Sequence, residues 1–302
     1  MPSPREADPD LQKAIDENAA AVSKTMEHLL PQTDDAEKRL FNAMRYGTLG
    51  GGKRLRPFLV MQSAKLFNVD VSRAKRAAAA LEFIHCYSLI HDDLPAMDNA
   101  DTRRGQPSVH RKYDEATAIL AGDALQALAF EILSDNQTHE DPRIRCHLIS
   151  SLAKAAGGHG MCGGQMLDLI AETEDFDVGS ISRLQRLKTG MLMAFACEAG
   201  GILGRADEAH RKALRGYAHD LGLAFQVTDD ILDVEADPSE TGKPANQDEA
   251  AGKATFVSTL GKDQARMRAE MLVAQACRHL NVFGARADML KKFAHYVLER
   301  RA

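Results

Sequence analysis

The stretch RADEAHRKALRGYAHDLGLAFQVTDDILDV, residues 205–234, contains no proline, and its apolar residues recur at helical spacing. It is rich in Ala, Leu, Arg and other strong helix formers, so it reads as one long helix. Working outward, RAKRAAAALEFIHCYSLIH (73–91), EATAILAGDALQALAFEILSD (115–135) and SRLQRLKTGMLMAFACEAGGIL (182–203) carry the same signature. Proline interrupts helix interiors, and three of the ten prolines fall in the first nine residues. None lies between Pro142 and Pro238 or after Pro244, and alternating β-branched runs are nearly absent. The expectation is an all-α protein of roughly ten or more helices. Residues 136–142 and 172–180 are polar but short, so a single domain over 1–302 is expected, with 1–10 disordered.

The composition narrows the function classes. The 302 residues carry 38 Lys and Arg against 43 Asp and Glu, a net charge of −5, with 44% hydrophobic residues and no Trp. This excludes collagenous, disordered and disulfide-scaffold chains. A mildly acidic chain argues against nucleic acid as the main partner. The five cysteines are widely spaced and form no CxxC, which disfavours structural zinc and disulfides and suits a reducing compartment. The longest run without Asp, Glu, Lys or Arg is 13 residues, 155–167, so no membrane span is expected. MPSPREADPD lacks the pattern of a signal peptide, and the expected location is cytoplasmic.

Two acidic motifs stand out, DDLPAMD at 92–98 and DDILD at 229–233. In the second, Asp229 and Asp233 share a helix face, Gln226 precedes them by a turn, and Asp230 points beside them. In the first, Pro95 ends the helix near Asp93 or Leu94. Asp92 and Asp93 then fill the last turn and Asp98 returns from the loop. Carboxylates at a helix C-terminus oppose the helix dipole. Two of them about 4 Å apart repel by roughly 4 kcal/mol at an effective dielectric of 20. A chain that arranges this twice has cations to bind, and an all-oxygen donor set points to Mg²⁺ or Mn²⁺ rather than zinc. A solvated acidic face is the simpler reading of one such motif. Two of them, preceded by the apolar FIHCYSLI and GLAFQVT, point to a cavity wall instead. An EF-hand fails on loop spacing.

Basic residues accompany the acids. GGGKRLRP (50–57) joins three glycines to Lys53, Arg54 and Arg56, with Pro57 placed to open a helix. Glycines let backbone N–H groups approach an anion, and the three cations can hold phosphate at that helix start. The spacing is not that of a P-loop. Arg103 and Arg104 follow the first acidic motif, Lys188 and Thr189 lie in KTG, and Lys243 and Lys253 follow the second motif. Any one lysine is ordinarily a surface charge; carboxylates, Mg²⁺ and paired cations together are the chemistry of a diphosphate. His85 lies two turns before Asp92 on one helix face and reads either as a donor to phosphate or as a packed histidine, whereas His91 and His110 read as structural or as supports of the site. In GGQMLDL (163–169), Gln165 and Asp168 sit on adjacent turns of a helix opening after glycines, and Asp168 requires a partner.

Taken in order, GGGKRLRP, LIHDDLPAMDN with RRG, GGQMLDL, KTG, FQVTDDILD and GKATF resemble the trans-isoprenyl diphosphate synthase (polyprenyl synthetase) family over about residues 40–260. The four residues between Asp93 and Asp98 match its bacterial farnesyl diphosphate-forming branch. The resemblance implies one all-α domain around a central cavity, a homodimer, and Mg²⁺ dependence. It implies that Asp92 and Asp98 bind Mg²⁺ with Asp93 in support, and that Asp229 does so with Asp230 and Asp233. By the same resemblance, Arg103, Lys188 and Lys253 grip an allylic diphosphate, and Lys243 belongs to the substrate-binding set. Lys53, Arg56, His85 and Arg104 hold isopentenyl diphosphate without direct metal contact, and Thr189 and Gln226 line the reacting centre. Asn99 and Ala100 stand where relatives often carry Asp, and Pro244 and Asn246 replace more flexible residues after Lys243. Tyr87 and Ser88 occupy the positions that set product length in the family; a bulky Tyr87 would stop the growing tail at C15.

Three other readings share parts of this pattern. A terpene cyclase would lack the GGGKRLRP grip. A geranylgeranyl diphosphate synthase differs in the tail pocket, where Tyr87 opposes it. A non-catalytic partner subunit would lose one acidic motif, and both are intact here. Arg300 and Arg301 read as a solvated helix end.

Overall fold

The Ala-rich run of the sequence forms a central helix, Val71–Asp92, started by Asp70, whose carboxylate accepts from the Ser72 N–H at 2.8 Å. This computed structural model describes residues 8–235 and 255–299. Ala77, Ala78, Ala79 and Ala80 are wholly buried, and their short side chains let neighbouring helices approach closely.

Among the described residues the α-helices are α1 (Pro9–Leu29), α2 (Lys38–Leu49), α3 (Leu55–Lys65), α4 (Val71–Asp92), α5 (Val109–Lys112), α6 (Glu115–Ser134), α7 (Pro142–Ala156), α8 (Met161–Ala171), α9 (Val178–Gln185), α10 (Met191–Leu203), α11 (Glu208–Glu235), α12 (Phe256–Leu260), α13 (Lys262–His279) and α14 (Asp288–Glu299). A single π-helical turn, Arg186–Gly190, joins α9 to α10. The strand content of the described residues is one antiparallel pair, β1 (Thr102–Arg103) with β2 (Gln106–Pro107). The all-α expectation is therefore met.

Helix α4 packs against α3, α6 and α10, while α10 also contacts α7 and α11, and α11 lies along α13. The C-terminal helix is tied in by the Tyr217 hydroxyl, which donates to the Leu290 carbonyl at 2.8 Å. All five cysteines are free thiols, with Cys86 and Cys197 buried.

Among the described residues one helix is long and apolar enough to be compared with a membrane span. Helix α6 reaches a mean hydropathy of 1.5 and is, by length and composition alone, apolar enough to cross a bilayer. Counting charge-free runs missed it because Asp123 and Glu131 interrupt the apolar residues. In this fold 39% of that apolar window is buried, and the helix packs on α4.

Two close contacts fix the helices that carry the polar motifs. The Arg54 Nη1 meets Glu82 of α4 at 2.6 Å, with both side chains at most 2% exposed, and Nη2 donates to the Thr48 carbonyl at 2.5 Å. Gly164 of α8 lies directly against the Lys188 backbone, where an added Cβ would overlap main-chain atoms. Breaking the first contact by Glu82→Leu leaves a buried guanidinium unpaired; urea unfolding should show a loss of about 3–5 kcal/mol, and Arg54→Met with Glu82→Leu should recover most of it. Gly164→Ala should lower the melting temperature by several degrees through forced separation of α8 from the π-turn, on the order of 1–3 kcal/mol.

Candidate active site

Pro95 cannot continue a helix, and α4 stops at Asp92 with Asp93 as its cap. The following loop folds back: the Asp98 N–H donates to the Asp92 carbonyl at 2.8 Å, and the Ala100 N–H to the Asp93 carbonyl at 3.1 Å. Arg104 and Gly105, with φ of +53° and +75°, then make the tight turn of the β1–β2 hairpin. This hairpin returns Arg103 to α4, where its Nη2 and Nε donate to Asp93 Oδ1 at 2.5 and 3.0 Å.

That pairing adds a contact between two residues of the first motif region. Asp93 was expected beside Asp92 as support for a metal. Its side chain is 3% exposed and paired with Arg103. Arg103 is the counter-ion of Asp93 and keeps its side chain 38% exposed. Asp92 faces a cavity of about 580 Å³. Burial, together with the charges of Asp98 and Asp93, pushes its pKa up to about 6 despite nearby Lys188 and Arg103.

The cavity brings together Arg56, His85, Tyr87, Ser88, Asp92, Lys188 and Thr189 from α3, α4 and the π-turn. Its inner wall is apolar and includes Met161, Leu169 and Leu192. A second hollow of about 110 Å³ shares Lys188 and Thr189 and is lined by Asp168, Gln226 and Asp230. Lys188 Nζ lies 2.5 Å from the Asp168 carboxylate, so the partner that Asp168 requires is this lysine. The π-turn places Lys188 and Thr189 between the two hollows, a local irregularity of the kind often found at functional sites.

The glycine-rich loop adopts φ of +93° at Gly51 and +115° at Gly52, conformations only glycine takes readily. Arg104 lies over Gly52 and its Nη1 donates to the Gly51 carbonyl at 2.5 Å. Helix α3 begins at Leu55, so Pro57 lies in its first turn rather than opening it. Of the three cations in GGGKRLRP, only Arg56 lines the cavity. It sits 3.4 Å from His85 Nε2. Burial and the Arg56 charge hold the His85 pKa well below its ordinary value, which keeps the ring neutral. Lys53 is exposed and outside the cavity lining. Arg54 corrects the reading: its backbone is left-handed, with φ of +48°, and this turns the side chain inward to Glu82.

In the second motif Asp230 is 2% exposed. It accepts from Gln226 Nε2 at 3.0 Å and from the Phe256 N–H at 2.8 Å. Gln226 therefore pairs with Asp230 rather than with the Asp229 and Asp233 face. Asp229 and Asp233 are partly buried on α11, and the Asp229 charge acts on Arg56. Lys243, Lys253, Pro244 and Asn246 lie outside the described residues, as do Arg300 and Arg301.

Among the described residues no three of His, Cys, Asp and Glu are gathered closely enough to cage a metal. The buried Arg56 Nε and Gln165 Nε2 have no hydrogen-bond partner among them. Both residues line the main cavity, so it offers donors for an anion.

Several residues that shape the site gave no sequence signal, among them Glu82 and Cys162. The glycines of GGQMLDL lie inside α8 rather than before it, because α8 must pass close to the Lys188 backbone. Paired glycines inside an apolar run were the available hint of that close approach.

The family model for polyprenyl synthetase matches residues 37–296. Farnesyl diphosphate synthase of Escherichia coli strain K12 is 48% identical over 263 residues, covering 85% of this chain and 88% of that protein. Geranylgeranyl pyrophosphate synthase 9 of Arabidopsis thaliana is 43% identical, covering 84% and 72%. The crystal structure of an FPP/GFPP synthase from Zymomonas mobilis, in its apo state, superposes with a TM-score of 0.87 at 49% identity, covering 96% of this chain and 99% of that one. An all-helical cavity with an acidic and basic rim, joined to these similarities over most of the length, makes the chain a member of the polyprenyl synthetase family.

Proposed function

We propose that the protein is a prenyltransferase of the farnesyl diphosphate synthase type. It condenses dimethylallyl diphosphate, and then geranyl diphosphate, with isopentenyl diphosphate, head to tail, to give the C15 farnesyl diphosphate. The observation that carries this reading is one cavity whose charged rim, Asp92, Lys188, Arg56 and His85, leads into an apolar interior beside Tyr87.

The donor chemistry fits a hard divalent cation. Asp92, Asp98, Asp229 and Asp233 offer only carboxylate oxygen, and Mg²⁺ typically takes one or two carboxylates and completes its shell with phosphate oxygens and water. Mn²⁺ is chemically equivalent here. When bound, the metal neutralises charge that develops on the departing diphosphate.

The chain's own residues do the rest. Lys188 and Arg103 grip the allylic diphosphate, each held in direction by its carboxylate, Asp168 and Asp93. Lys253 and Lys243 join them from the segment that follows the second motif. Arg56, His85, Arg104 and Lys53 hold isopentenyl diphosphate; His85 serves as a neutral donor. Gln226, oriented by Asp230, and Thr189 sit at the reacting centre. The allylic C1–O bond breaks, C4 of isopentenyl diphosphate bonds to that C1, and a C2 proton leaves to the released diphosphate. Met161, Leu169 and Leu192 keep water from the cation. Tyr87, with Ser88 beside it, stops the tail at C15. A single domain, a homodimeric assembly and a cytoplasmic location complete the proposal; the free thiols suit a reducing compartment.

Incubation with dimethylallyl and isopentenyl diphosphates should give C15 product in Mg²⁺ and none in excess chelator, read by product chromatography; no elongated product in Mg²⁺ would overturn the reading. Asp92→Ala should lower kcat by on the order of 10²–10³-fold, the scale of losing one transition-state electrostatic group. Tyr87→Ala should shift product beyond C15; a C15-only profile would remove Tyr87 from length control.

A further inference from the structure

Tyr87 lies five residues before Asp92 on α4, about 7.5 Å deeper along the helix at ~1.5 Å per residue. A ring that merely lines a cavity of about 580 Å³ can change rotamer into it. Three observations show this ring held. Its hydroxyl lies 3.5 Å from Cys162 Sγ on α8. The Tyr87 ring meets the His91 ring, one helical turn on, in a nearly T-shaped arrangement, with centroids 5.7 Å apart and planes at 74°. His91 is itself anchored: Nε2 lies 3.0 Å from the Ile119 carbonyl of α6, and the imidazole occupies the space over Gly122, where any Cβ would overlap it. Thus one phenol ring links α4, α6 and α8 across the cavity wall.

We propose that Cys162 and His91 are positioning residues for product length, which hold the Tyr87 ring in the path of the growing prenyl tail. Residue size at position 87 sets how much space is closed, and these two contacts, with the Gln126 side chain of α6 that also reaches the hydroxyl, set whether it stays closed. Cys162 lines the same cavity as the ring, so their contact stands where an extending tail must press. Burial first, and the Cys162 contact after it, raise the Tyr87 pKa, so the phenol stays neutral beside the thiol. Gly122 takes part by leaving room for His91.

The inference rests on the proposed reading that Tyr87 blocks the tail, and the test separates the two. Wild type, Cys162→Ala, Cys162→Ser, Gly122→Ala and Tyr87→Ala are incubated with dimethylallyl and isopentenyl diphosphates, and the C20:C15 ratio is read by mass spectrometry, with folding checked by circular dichroism. Cys162→Ala should raise the ratio about fivefold or more with the KM for dimethylallyl diphosphate unchanged. Cys162→Ser, which keeps a polar partner for the hydroxyl, should retain the wild-type ratio. Gly122→Ala, which drives His91 off its seat, should raise it as Cys162→Ala does. A wild-type ratio in folded Cys162→Ala or Gly122→Ala, with longer products from Tyr87→Ala, would mean that Tyr87 blocks unaided and would overturn the proposal. Equal lengthening in Cys162→Ala and Cys162→Ser would overturn it in favour of space alone. C15-only product from Tyr87→Ala would remove the Tyr87 reading and the proposal together.

Discussion

The ion pair between Asp93 and Arg103 decides which way the end of α4 faces. Two adjacent carboxylates close a helix whose C-terminus already carries partial negative charge. Only one of them can point along the cavity, because successive residues on a helix diverge by about 100°. The hairpin that follows brings Arg103 back to Asp93 and holds it inward, at 3% exposure, which leaves Asp92 to the cavity. The same hairpin carries Arg104 over the glycine-rich loop, where it donates to the Gly51 carbonyl. The two ends of the charged rim are thus positioned by one short segment whose direction is set by one ion pair.

Similar divisions of labour recur around the cavity. Asp168 holds Lys188, Asp230 holds Gln226 and receives the Phe256 N–H, and Glu82 holds Arg54 beneath the glycine loop. In each motif one polar residue is turned inward and fixes another. Such buried polar groups are costly unless paired, and the partners come from four to 28 residues away in the chain. This is how a chain with a net charge of −5 can present a cavity suited to anionic substrates. The sign of the total is a poor guide; the placement of each charge relative to its neighbour determines what the cavity can bind.

The fold was legible because its strongest signals are punctuation. Proline-free, Ala-rich stretches became α4, α6, α10 and α11, and Pro95 ended α4 where expected. The residue types of the rim were legible too, and Asp92, His85, Arg56, Lys188 and Thr189 do converge on one cavity. Direction was not legible. Nothing in DD distinguishes the inward Asp93 from the outward Asp92, and the inward turn of Arg54 follows from a left-handed φ of +48° that KRLR does not announce. The π-turn at Arg186–Gly190 has no compositional mark, since it arises from how α8 and α11 pack against it. Cys162 and His91 read as unremarkable residues in sequence because their role depends on a ring reached only in three dimensions.

The central claim is that the carboxylates of α4 and α11 hold a diphosphate through a divalent cation rather than repelling it. Calorimetric titration of the protein with inorganic diphosphate, in Mg²⁺ and in excess chelator, tests it most directly. The account predicts that Mg²⁺ tightens binding by about tenfold or more, equivalent to roughly 1.4 kcal/mol, and that Asp92→Ala removes this gain. Equal affinity with and without Mg²⁺, or a gain untouched by Asp92→Ala, would contradict it.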